Sequence, residues 1–528
     1  MTFLPIVDRE LRVAARRGGT YWTRLVFAFV GTGIVGLAML LSATMRTGAT
    51  RIGGGLFYFL SLLALGFSAF AGVFLTADCL TEEKREGTLG LLFLTDLKGY
   101  DVVLGKLLAR SLGAAYGLIA IFPVLGITLT MGGVTAGEFW RMALVCLNTI
   151  FFSLTAGIFV SALSQRDARS MAGAAVLIVF IGGVLPLAES ILNRTGLAGR
   201  FILALPSPLT AWELAFDSSF RLWGRYFAYS LLLTQGIGWL LLVLASVLLP
   251  RRWQAGVGPI VRERWKTPST PHDEVQSRQF EKRRLFLEQN PVYWLVARKS
   301  RITPASWIVW MLLAIGLAVL SFLDPLATLA TSQYWWSLLL GLLRIFVGMY
   351  ACRFFMEARQ TGALELLLST PLTIEEILRG QWMGLRRLFL APAAGLFAAG
   401  VVPLLLVILI DQPNAFPAGI MMGVMCVYGA VPKLACDLLA AAWVGMLVGL
   451  TTRKPNLAPG LTVLYTVVLP VAAFCVPDVI ITFPLMLWAR DRLYRKLRVL
   501  SSTRFAPVVP LYDRGGRISA LTPPVIRS

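Results

Sequence analysis

Long apolar runs, each broken by a short charged stretch, constrain this chain more than any other feature of it. In the first half they lie at about 24–45, 55–79, 103–130, 138–163, 171–189 and 226–249. In the second half they lie at about 304–323, 335–356, 383–410, 417–450, 457–475 and 477–490, the last two short or interrupted by proline. A helix of ~20 apolar residues crosses the ~30 Å hydrocarbon core of a bilayer. With 57% apolar and only 15% charged residues in 528, the chain lies outside the soluble range. A transmembrane β-barrel would alternate over ~10-residue segments, and the sequence does not. The expected fold is an all-α polytopic membrane protein with about twelve transmembrane helices.

The formal charge of +21 would suggest nucleic acid in a soluble protein. Here the basic residues stand between apolar runs, the pattern of a topology signal and of contact with membrane lipids, so no nucleic-acid partner is expected. The basic breaks place both termini in the cytoplasm of a multi-pass cell-membrane protein. The N-terminus lacks a cleavable signal pattern, so the first span should act as its own anchor. Residues 4–17 read as an amphipathic helix in the interface or as a basic flank that sets orientation. The six cysteines show no metal spacing, and no metal site or disulfide framework is expected. The one histidine, His272, falls in a polar linker over 250–290. The implied organisation is a six-span unit at 1–249, the linker at 250–290, a second six-span unit at 291–495 and a cytoplasmic tail at 496–528. Six spans in each unit make the two repeats parallel.

The repeat is explicit at the end of the second span. Residues 80–106 and 355–381 align without gaps: Glu82 with Glu357, Gly87 with Gly362, Leu89 with Leu364, Thr95 with Thr370, Leu97 with Leu372 and Gly105 with Gly380. Either glycine permits a tight backbone turn after its span. In the second copy Pro371 stops one helix, and Thr373 with Glu376 fits a capping box that starts the next. The leucine-rich stretch between is too short to cross a membrane and should lie along its surface. Each copy therefore reads as a rigid, acid-flanked elbow.

This pattern, E-x-x-x-x-G-T-L-x-L-L-x-x-T-x-L, resembles that of type-2 ABC exporter permeases (ABC-2 type). In that family the segment between spans two and three docks onto an ATPase subunit. The resemblance implies coupling roles for Glu82, Glu83, Arg85, Glu86, Gly87, Thr88, Leu89, Thr95 and Leu97. In the second copy it implies them for Glu357, Gly362, Leu364, Glu365, Thr370, Pro371, Leu372, Thr373 and Glu376. The copies depart from the pattern where Asp96 replaces the family's proline, Lys98 the capping threonine, and Ala363 a threonine. A phosphate loop, G-x-x-x-x-G-K-[ST], is missing from the sequence. The chain would therefore be no enzyme and hold no cofactor, ATP and magnesium residing on two ATPase copies or a heterodimer beneath it.

Within the spans, Lys433 and Asp437 stand four apart and can pair on one helix face, as a functional or a structural pair. Arg110, Arg386 and Arg387 should snorkel to the headgroups, and Pro123 and Pro403 should kink the third and ninth spans. Residues 190–225 carry Trp212, Phe216, Phe220 and Trp223 at helical spacing. They are expected to form an interfacial helix at the outer leaflet. Two other functions compete with the exporter. An ion-gradient transporter or channel would need midplane ionisable groups in both halves, and a non-transporting scaffold would need none.

Overall fold

The computed structural model describes residues 32–33, 36, 49–87, 89, 98–164, 167–194, 203–252, 290–299, 304–323, 325–360, 362–410, 416–452, 457–472 and 478–502. The expected interfacial segment at 4–17, most of the first span, the linker with His272 and the tail beyond 502 lie outside these residues.

Helices account for the regular structure among the described residues. The first half holds α1 (Ala49–Leu75), α2 (Cys79–Glu86), α3 (Gly99–Met131) and α4 (Ala136–Leu163). Its fifth helix, α5, joins Asp167–Val179, a π-helical turn at Phe180–Val184, and Leu185–Arg194. After it come α6 (Pro208–Ala215) and α7 (Asp217–Arg252). The second half holds α8 (Pro291–Lys299), α9 (Pro304–Leu323), α10 (Pro325–Gln360), α11 (Ala363–Ser369), α12 (Ile374–Ile410) and α13 (Phe416–Thr451). It ends with α14, again three pieces (Leu457–Val463, π turn Leu464–Val468, Leu469–Ala472), and α15 (Asp478–Ser502). Among the described residues, 7 helices are long and apolar enough to cross a membrane. The protein is an all-α, multi-pass membrane protein.

In lipid, apolar character does not tell inside from outside, and packing of small side chains does. Helix α4 shows this. Its outward face carries Trp140, Leu144 and Leu147, while its inward face carries Ser153, Gly157 and Ser161 at four-residue spacing. Ser153 Oγ accepts the Gly72 N–H of α1 at 2.8 Å, and Thr76 Oγ1 of α1 donates to the Leu154 carbonyl at 2.9 Å. A Cβ on Gly157 would lie 2.6 Å from the Gly72 carbonyl oxygen. The second half uses the same device on α13, with Ala441, Gly445 and Gly449 against α10. A Cβ on Gly449 would sit 2.2 Å from the Cys352 carbonyl oxygen.

The π turns share a cause. Val184-Leu185-Pro186 and Val468-Leu469-Pro470 place a proline two residues past each. Proline lacks the N–H for the next helical bond, and its ring pushes away the carbonyl four residues back. The ladder slips to wider bonds: Leu185 N–H donates to the Phe180 carbonyl, and Leu469 N–H to that of Leu464. The displaced Gly182 carbonyl accepts from Ser207 Oγ at 3.3 Å. Helix α5 packs on α9, where Gly183 meets Leu313 at 3.7 Å from its ideal Cβ position. Helix α14 packs on α10 and touches α1. One apolar core thus crosses from Val73 and Met171 to Val309, Leu343 and Val444.

The aromatic stripe at 212–223 corrects an expectation. Trp212 is only 3% exposed. Its indole N–H donates to Ser61 Oγ at 3.1 Å, and its ring meets Tyr58 at 4.8 Å. Phe216 leaves the helix with φ −70° and ψ 142°, and Trp223 interrupts α7 with φ −129° and ψ 26°. The stripe is therefore split between two helices and packed into the protein, and does not lie flat against lipid. A polar clamp holds the joint to the start of α4. Thr135 Oγ1 donates to Asp217 Oδ2 at 2.8 Å, Glu138 Oε1 accepts the Asp217 N–H at 2.7 Å, and Arg141 pairs with Asp217.

Candidate functional site: two elbows at one end of the bundle

Both elbows begin with the same backbone event. Gly87 has φ 73° and Gly362 φ 70°, the left-handed conformation that costs an L residue about 1 kcal/mol or more and glycine nothing. Each ends the second span abruptly.

One turn earlier each half spends a cation on the same task. The ammonium of Lys84 donates to the carbonyls of Ser161 (3.1 Å), Ala162 (2.6 Å) and Ser164 (3.0 Å). Those are orphan acceptors at the C-terminus of α4, where the helix dipole favours positive charge. Arg359, at the aligned position, donates to the Leu450 carbonyl at the C-terminus of α13. Leu80 N–H adds a bond to Ser161 Oγ at 3.1 Å. The carboxylates of Glu82 and Glu357 are half-buried in this joint and do not stand at the exposed tip.

Past the glycine, the second copy is fully described. Helix α11 is 7 residues long. Leu364 is buried against the core, Leu367 and Leu368 are half-buried, and Leu366 is 70% exposed. Glu365, Ser369, Thr370, Pro371, Thr373, Glu375 and Glu376 are exposed, and Leu372 is half-buried. The capping box forms as the sequence implies: Thr373 Oγ1 accepts the Glu376 N–H at 3.3 Å, and Glu376 Oε2 accepts the Thr373 N–H at 2.8 Å. The backbone N–H and hydroxyl of Thr373 hold the Glu376 carboxyl below the usual carboxylate range. Asn290 caps α8 by accepting the Val292 N–H at 2.8 Å, and its amide donates to the Glu376 carbonyl at 2.8 Å. The helix before the second half's first span is thereby tied to the elbow.

In the first copy Leu89 is buried, whereas Thr88, Thr95 and Leu97 lie outside the described residues, as do the side chains of Arg85 and Glu86. Where the chain resumes, Asp101 Oδ2 accepts the Lys98 N–H at 3.0 Å. Lysine has no acceptor to return, so half of the box survives. Glu83 pairs with Lys106 at 2.7 Å, joining α2 to α3.

Deeper in the bundle, Asp437 pairs with Arg344 of α10, both buried. The sequence expectation set Asp437 against Lys433, which is exposed on α13. Arg344 was not foreseen because pairing across two helices leaves no spacing signal. The small-residue stripes and the paired V-L-P triplets were also overlooked, although both are legible as repeats. Among the described residues no cluster of metal-ligating side chains occurs.

Residues 63–250 match the family model described as ABC-2 family transporter protein. This region is similar to an ABC-2 type permease unit. The match runs from the middle of α1 to the end of α7 and contains the first elbow. No curated protein matches the chain. The similarity supports reading this multi-pass membrane protein as a permease component of an ABC transporter, and the matched family works with an ABC ATPase.

Proposed function

We propose that the chain fuses two ABC-2 permease units, at 1–249 and 291–495, and exports a substrate when both elbows are driven by ATPase subunits made separately. The observation that carries this reading is the double occurrence of one machine part. A positive-φ glycine, a cation holding the end of the fourth span and an aligned acidic residue recur at the same end of both halves. Two ATPase copies, or a heterodimer, would dock there, supplying the ATP and magnesium that this chain does not bind. The elbow end would face the cytoplasm of a cell membrane, following the basic breaks.

In this reading Glu365, Leu366, Thr370, Pro371, Thr373 and Glu376 form the surface offered to the ATPase, with Leu366 as its apolar anchor. Glu82, Glu357, Gly87 and Gly362 act one step back, setting the angle at which the elbow leaves its span. Leu89 and Leu364 fix the elbow to the core. Glu83, Arg85, Glu86, Thr88, Thr95 and Leu97 supply the first copy's counterpart.

The test is co-purification of the tagged chain from its native membrane, probed for a bound ABC ATPase, using wild type and Leu366→Asp/Glu365→Lys. The double variant should fold, keep its thermal midpoint and lose most of the bound ATPase. Charge reversal at Glu82 and Glu357 should leave the ATPase bound and uncouple hydrolysis from transport. Retention of ATPase and full coupling in all of these folded variants overturns the assignment, as does transport by the purified chain in vesicles without nucleotide or partner.

A further inference from the structure

The last helix, α15, changes character halfway along. Val479, Ile480, Phe483, Leu487 and Trp488 are exposed and apolar, and they face outward from the bundle. Immediately after them Arg490, Asp491, Arg492 and Arg495 are exposed. The opposite side does not change at all: Thr482, Ala489, Leu493 and Leu497 stay buried along the whole length. An outward face that is apolar and then abruptly charged marks where the helix leaves hydrocarbon.

The aromatic residues fix the level. Trp488 is half exposed at the boundary, and tryptophan concentrates at headgroup depth. The Arg492 guanidinium lies over its ring at 5.2 Å, and that of Arg490 lies 5.9 Å from the Tyr494 ring. At 1.5 Å per residue, Arg490 and Arg492 stand about 3 and 6 Å past Trp488. The polar layer of one leaflet is about 5–8 Å deep. A membrane boundary at Trp488 would put both guanidinium groups among the lipid phosphates. Arg495 pairs with Asp491 at 2.7 Å, a bond exposed on both sides, which still leaves the patch net positive.

We propose that the outward face of α15 from Trp488 to Arg495 is a binding site for anionic phospholipid headgroups, and that a lipid held there fixes the height of the second elbow. Arginine suits the ligand because its planar fork matches phosphate oxygens. The link to the elbow is direct. Helix α15 packs on α11, and Leu493 and Leu497 share one buried cluster with Leu364 of the elbow and Ile377 and Leu378 behind it. Lipid on one side of the helix and elbow on the other leave α15 little freedom to rise or sink. This site does not depend on the ATPase reading.

Native mass spectrometry of the full chain in micelles holding equal amounts of phosphatidylglycerol and phosphatidylcholine tests the proposal. Wild type should retain phosphatidylglycerol in preference to phosphatidylcholine. Arg490→Gln/Arg492→Gln/Arg495→Gln should weaken that retention on the order of a hundredfold, since each basic residue near an anionic surface contributes roughly a factor of five. Arg221→Gln/Arg225→Gln, removing exposed arginines at the opposite end of α7, should leave it unchanged. Should the triple variant fail to fold, Asp491→Asn supplies the reverse test, because removing the one carboxylate should strengthen retention. Unchanged phosphatidylglycerol binding in the folded triple variant, or in Asp491→Asn, overturns the site. So does a triple variant that keeps the lipid and loses the ATPase, which would make this face a protein contact.

Discussion

Under the first elbow, Glu83 and Lys106 join the outgoing span to the incoming one by an ion pair, with Lys106 only 8% exposed. Under the second, Ala358 and Gln381 occupy the aligned places, both buried and neutral. The distribution reverses deeper down. The second half carries the buried Arg344–Asp437 pair between α10 and α13. The first half has Ala69 and Thr149 at the aligned positions, and there a Ser153 hydroxyl donating to the Ala69 carbonyl binds the same two helices. What the halves share is what backbone geometry demands, namely the left-handed glycine, the cation on the helix end and the small-residue crossing. What they do not share is how charge is used to stiffen the frame.

The sharpest break in that comparison should come from Arg344→Ala, which removes the cation that pairs with the buried Asp437 carboxylate across α10 and α13. A loss of about 3–5 kcal/mol is expected, read as a lowered thermal midpoint. Replacing both residues by leucine should restore most of it, since an apolar pair costs no desolvation. If the double variant is as damaged as the single one, the pair does more than hold two helices together.

Next in size, Gly157→Ala and Gly449→Ala should each cost about 1–3 kcal/mol by forcing a close helix crossing apart. Equal losses would support equivalent crossings in the two halves, and a loss in one alone would show that the repeat is only apparent. A smaller effect, about 1 kcal/mol, is expected for Glu83→Gln, and it should shrink as salt rises. Leu366→Asp/Glu365→Lys in the second elbow should show no such salt dependence of stability.

The smallest effect concerns the caps. Thr373→Ala should cost about 1 kcal/mol, seen as faster amide exchange at residues 373–376. The Glu376 carboxyl is held below its ordinary range, so its cap contributes above the unfolded pKa and is lost as pH falls through the lower folded value. Exchange there should accelerate on the acid side of the usual carboxylate range. An acid-independent rate would remove the back-bond from Glu376 to the Thr373 N–H.

Much of the frame was legible before any coordinates. Helix positions follow from apolar length, which is why α9 and α13 begin and end within a residue of expectation. The turn at Gly87 and Gly362 and the Thr373–Glu376 box are local, needing only neighbours in sequence. The destination of Lys84 was not legible, because the carbonyls it holds lie some eighty residues away. Trp212 misled for a different reason. In a membrane both lipid and protein interior are apolar, so an aromatic stripe fits either side, and only its indole N–H, which needs an acceptor, separates them. Arg344 was hidden inside an apolar run whose composition alone gave no partner.

Since Lys84 and Arg359 each clasp the carbonyl end of a neighbouring helix, a load applied at either corner is shared with a second column. If a partner docks below as proposed, its thrust would reach the far face of the bilayer through two columns at once.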